Sequence, residues 1–97
     1  MVFFDLHDDS DAARQKLLDS AQKNLSGHEG TVYFSVGVLG KEFSRPVNDQ
    51  DFTVALHVVF RDKAAHDAYQ VHARHHAFID ECKPNWKRVR VFDSYIA

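Results

Sequence analysis

DFTVALHVVF, Asp51 to Phe60, decides the fold. Phe52, Val54, Leu56, Val58 and Phe60 alternate with Thr53, Ala55, His57 and Val59, the period of two that a β-strand imposes on its side chains. The first set is wholly apolar. The second is small or semi-polar and contains no carboxylate, Lys or Arg. A strand that can be dry on both faces is a central strand, covered twice. Helices are expected to cover one face and a second copy of the chain the other.

Working outward, Val2, Phe4 and Leu6 alternate with Phe3 and Asp5 as a first strand. Ser10 stands where an N-cap is needed, with Asp11 in the first turn behind it. Ala13, Leu17, Leu18, Ala21 and Leu25 then recur at three- and four-residue steps opposite Arg14, Lys16, Asp19 and Lys23, which predicts an amphipathic helix of roughly four turns. Gly27 ends it as a left-handed cap. Thr31 to Leu39 reads as the second strand, with Val32, Phe34, Val36 and Val38 on one face and Tyr33, Ser35 and Gly37 on the other. Gly40 to Gln50 is the longest loop; its Pro46 is poorly suited to a central strand.

Downstream, Asp62 is a second N-cap, and Ala64, Ala65, Ala68 and Tyr69 mark a helical face. The pattern falters over VHARHH, Val71 to His76, where a kink or break is expected. Phe78, Ile79 and Cys82 carry the face on until Pro84 stops it. Trp86 is expected in the following connection. Arg88 to Tyr95 is read as the fourth strand, Val89 and Val91 facing one way and Arg88, Arg90 and Phe92 the other.

The order β-α-β-β-α-β predicts an α+β, ferredoxin-like fold. It has a four-stranded antiparallel sheet with both helices on one face, because each βαβ crossover is right-handed. Bulk assigns Val2, Phe4, Leu6, Phe34, Val36, Leu56, Val58, Val89 and Val91 to the helix side. The opposite face then carries Phe3, Tyr33, Thr53, Ala55, His57, Val59 and Phe92. Each large apolar side chain gains about 1.5–3 kcal/mol on full burial, and an exposed apolar patch of this kind is one that small monomers avoid. A two-fold homodimer is expected, its sheets facing one another as a dimeric α/β barrel.

Composition narrows the function classes. At 97 residues the chain is expected to be a single domain over 1–97. Its 44% apolar and 27% charged residues fit a folded globular protein. A formal net charge of −2 supplies no basic field for nucleic acid or anionic lipid. Seven histidines would add seven positive charges if all were protonated, so solubility and assembly should respond to mild acid. The lone Cys82 excludes an internal disulfide and, with no signal-peptide pattern or membrane-length apolar run, suggests a cytoplasmic protein.

Four segments carry a resemblance: VFFDLHD near the start, DFTVALHVVF with Asp62 and Ala65 after it, AYQVHARHHAF, and the closing VRVFDSY. Together they resemble the stress-responsive dimeric α/β-barrel (Dabb) family over nearly the whole chain. The most specific element is Tyr69 followed by His72-x-x-His75-x-x-Phe78, with the Phe92-Asp93 ending. The resemblance implies sheet-to-sheet dimers. It implies a range of activities, from stress-associated proteins with no assigned reaction to a plant polyketide cyclase whose pocket lies between sheet and helices. In that cyclase a histidine of the HxxH stretch is the general base. His75 occupies the matching position, and Tyr69, Phe78 and Trp86 match pocket positions around it. The cyclase's first-strand histidine would fall before Met1, its first-helix tyrosine corresponds to Ser20 and its third-strand histidine to Val54, so cyclisation is not the activity expected.

His75 is therefore the one candidate catalytic residue, a group titrating near neutrality beside a phenol and an indole. Its competing role is structural, satisfying a carbonyl where the helix breaks. His72, His75 and His76 have helical spacing, yet no Asp, Glu or Cys completes a metal set at a near offset; no metal and no cofactor are expected. Cys82 is read as packing, and Arg88 and Arg90 as solvated rim charges, the alternative being that they pair with acidic groups of the partner copy or bind a small anion. The reading is a small homodimer that binds a small hydrophobic ligand near Tyr69, His75, Phe78 and Trp86. The alternative is a cofactor-free enzyme, cyclase-, lyase- or monooxygenase-like, acting on a small aromatic or carbonyl compound.

Overall fold

A computed structural model describes residues 1–97. Strands β1 (Val2–Leu6), β2 (Thr31–Val38), β3 (Val54–Phe60) and β4 (Trp86–Val91) form one antiparallel sheet in the order β2-β3-β1-β4. Helices α1 (Asp11–Leu25), α2 (Lys63–Gln70) and α3 (Ala73–Cys82) complete the β-α-β-β-α-β order, the second helical region being in two pieces. The central place of β3 is as expected: Val54 and Leu56 are fully enclosed. They pack with Phe4 and Leu6 of β1 against Leu17, Ala21, Leu25, Tyr69, Phe78 and Cys82 of the helices.

The strand registers separate the two faces as the alternation requires. Phe3 lies opposite Ala55, and Ser35 and Tyr33 opposite His57 and Val59, while Val2 and Val36 flank Leu56 on the helix side. Three caps start the three helices. Ser10 Oγ accepts from the Ala13 amide at 3.2 Å and an Asp62 carboxylate oxygen from Ala65 at 2.8 Å. At the break, His72 Nδ1 accepts from Arg74 at 3.0 Å. Each such bond contributes about 1 kcal/mol.

The structure corrects several boundaries. The third strand begins at Val54, not Asp51: the Asp51 carbonyl is taken by the Arg90 guanidinium at 2.9 Å, and Phe52 sets its ring edge on Phe3. Trp86 is not in a connection but opens β4, opposite Leu6. Pro84 sits inside a 3-10 turn, Lys83–Asn85, that feeds the chain directly into that strand. The strand ends at Val91, and Phe92 keeps its backbone bonds with Met1 (2.9 and 2.8 Å). Val32 leaves the apolar face because the β2–β3 register shifts there, and it stands 67% exposed. Val89 and Val91 remain exposed because β4 is an edge strand.

Polar groups lock the helices together. Buried Ser20 donates to Glu81 at 2.6 Å, and Asn24 and Lys23 also bind that carboxylate; these bonds, Ser20 foremost, hold it below the usual carboxylate range. Arg74 Nη2 caps the end of α1 through the Ser26 carbonyl at 2.9 Å and that of Lys23. Gly30, at a φ of +82°, lies so close to α2 that a Cβ there would collide with Ala65.

Candidate functional site

The break after Tyr69 lets α2 and α3 present separate inward faces. Tyr69 closes α2, and α3 carries His75 and Phe78 inward, three positions apart and therefore on one side of the helix. Tyr69 lies with its ring centre 4.8 Å from His75, 4.8 Å from Phe60 and 4.9 Å from His28. A second group sits against β1: Trp86 is 5.7 Å from Phe78 and 5.2 Å from Phe4. The four residues expected at the pocket thus fall into two pairs, Tyr69 with His75 and Phe78 with Trp86. No ring contact joins the pairs; Phe4 and Phe60 extend each one toward the sheet.

Burial sets the protonation states. It pushes the Tyr69 phenol up to about 12, so the residue is a neutral hydrogen-bond donor throughout the physiological range. It also pushes His75 below its ordinary 6.5, with His76, His28 and His66 adding like-charge repulsion. His75 is therefore neutral at pH 7, the state in which an imidazole accepts a proton. Its Nδ1 is buried and unpartnered, as is the indole Nε1 of Trp86. A buried polar atom without a partner costs about 1–3 kcal/mol.

The surrounding histidines have structural work. His28 is buried and its Nε2–H donates to the Asn24 carbonyl at 2.7 Å; its ring edge also meets His72 at 4.8 Å. His72 is committed to its cap. No group of three His, Cys, Asp or Glu side chains converges. Burial pushes the Cys82 thiol up, keeping it protonated in the core. His28 and Phe60 were missing from the sequence-based site. A loop histidine after Gly27 has no periodicity to reveal it; its burial comes from Tyr69, which is distant in sequence.

On the other face, Tyr33 and His57 touch edge-on at 5.4 Å, and Phe3 packs between Phe52 and Phe92. Ala55, Val59 and Thr53 are half-buried around them. Arg88 and Arg90 pair within the chain, with Asp51 at 3.1 Å and Asp49 at 2.9 Å. Arg90 also lies over the Phe3 ring.

The lowered His75 makes a pH prediction. The unfolded chain takes up this proton more readily than the folded one, so His75's contribution to stability is complete above about 6.5 and is lost as pH falls through its lower folded value. Urea midpoints are expected to drop between pH 7.5 and 5, and His75→Gln is expected to reduce that drop. An equal drop in both proteins would exclude His75 as its source.

A profile of the Stress responsive A/B Barrel Domain, Dabb, matches residues 1–96. The chain belongs to the Dabb family. Among solved structures it is similar to a Dabb family protein with a ferredoxin-like fold from Mesorhizobium loti. That likeness has 26% identity and a TM-score of 0.72, and covers 92% of this chain and 85% of that one. It is also similar to a dimeric protein of unknown function with a ferredoxin-like fold from Bacteroides fragilis, with 17% identity, a TM-score of 0.64 and the same coverages. No curated protein matches the chain. The Dabb assignment and the ferredoxin-like neighbours agree with the α+β sheet described above. No helix is long and apolar enough to cross a membrane.

Proposed function

We propose that residues 1–97 act as one Dabb domain that pairs with a second copy through the open sheet face and binds a small hydrophobic molecule between sheet and helices. The observation that carries the pairing is the apolar character of that face. Tyr33 and Phe92 stand 50% and 55% exposed, and Phe3, Ala55, His57 and Val59 are covered only in part. A second sheet would remove them from water, and the Bacteroides fragilis protein, described as dimeric, offers a precedent on the same fold. A free, buried Cys82 suits a reducing cytoplasm, and the net charge of −2 argues against nucleic acid as a partner. Sedimentation equilibrium at tens of micromolar is the test. A dimer mass is expected, and a monomer mass would overturn the reading.

His75 favours a second reading. A neutral imidazole with a buried, unpartnered Nδ1 beside the Tyr69 phenol is equipped to move a proton on a small aromatic or carbonyl compound, without a cofactor. Under that reading His75→Ala abolishes turnover while leaving the circular dichroism spectrum and dimer mass unchanged. Loss of the fold in His75→Ala would instead favour a packing role.

A further inference from the structure

We infer that the cleft between the start of α1 and the Lys83–Asn85 turn binds a small aromatic monocarboxylate, at a place separate from the Tyr69–His75 pair. The cleft encloses about 320 Å³, at the small end of ligand pockets. Its floor is apolar: Leu6, Leu17, Cys82 and the exposed side of Trp86. A planar ring would lie there against the indole, which is already braced behind by Phe4 and Phe78.

The polar groups around the cleft decide the ligand's charge. Asp8 accepts from the Ser10 amide, Asn85 is used at both ends by the Asp8 backbone, and Glu81 is taken by Ser20, Asn24 and Lys23. Two groups at the cleft are left with something to give. Lys16 makes no ion pair within the chain. Ser10 Oγ, which accepts from Ala13, keeps its own hydrogen. Both are donors, and one is a cation, so the complement is an acceptor with a single negative charge. The fixed carboxylates of Asp8 and Glu81 at the rim oppose a second.

Trp86 is the chain's only tryptophan, so its indole N–H gives one resolved nitrogen–proton signal from the wall of the cleft. Titrating the full chain with benzoate is expected to move that signal saturably at roughly millimolar concentration, as suits a ligand of this size. Lys16→Met keeps the stem and removes the charge at an exposed position, and should weaken binding about tenfold, as should replacing benzoate by benzyl alcohol. An unmoved indole signal overturns the proposal, and so does equal binding by Lys16→Met or by the neutral analogue. Movement of the Tyr69 and His75 ring signals in place of the indole would put the ligand in the other site and overturn it too. The cleft belongs to one copy, so sedimentation of the same samples tests the dimer independently.

Discussion

His57→Glu is expected to sediment as a folded monomer at concentrations where the unaltered protein is a dimer. His57 lies mid-strand on the open face of β3, opposite Ser35 and beside Ala55 and Val59. The open-face cations, Arg88 and Arg90, are on β4, on the far side of β1, and already hold Asp51 and Asp49. A carboxylate at position 57 would therefore meet no cation of its own chain. In a face-to-face dimer the two-fold axis brings two such carboxylates into the dried interface. Each unpaired charge costs several kcal/mol there, and at about 1.4 kcal/mol per tenfold the dimer should weaken by at least about a thousandfold. His57→Phe should keep the dimer. If His57→Glu still sedimented as a dimer, the sheet face would not be the contact.

What could be read from the sequence, and what could not, divides by the range of the interaction. Ser10 and Asp62 were legible as caps because the bond each makes reaches only three residues along its own helix. The alternation of Val54 to Phe60 was legible because the face each side chain takes is set by its own position along the strand. The faltering of the pattern at Val71 to His76 marked the break between α2 and α3, although the capping role of His72 did not show. Trp86 was misplaced because Pro84 signals a stop, and nothing local says that the stop is a single 3-10 turn ending opposite Leu6. Arg88 and Arg90 were assigned outward because Asp49 and Asp51 lie some forty residues away, in a loop whose path the sequence does not dictate. The site divides likewise. Tyr69 and His75 share a helical region and meet there, whereas His28 joins them only through tertiary packing.

Phe4→Ala is expected to destabilise the chain by about 3–5 kcal/mol, the usual range for deleting a buried ring. Phe4 is 2% exposed in the middle of β1, between Val54 and Val89 on the neighbouring strands. Its ring also meets Phe78 at 5.9 Å and Trp86 at 5.2 Å, so truncation leaves a gap bounded by two large side chains held on separate elements. Neither can collapse into it without leaving the other: Phe78 is fixed by α3, whose seam to α1 is the Ser20–Glu81 bond, and Trp86 by its pairing with Leu6. Poor collapse places the loss toward the top of the range. For a chain of this length it corresponds to a fall in Tm on the order of 15–30 °C. Against a total stability of about 5–15 kcal/mol, it would leave some molecules unfolded at growth temperature. Val47→Ala, at a loop position 83% exposed, should change stability by less than about 0.5 kcal/mol and so calibrate the urea or thermal measurement. A Phe4→Ala loss below about 1 kcal/mol would mean that the helices do not close over β1 as described, and the Trp86 cleft would then lack the rigid wall that its ligand requires.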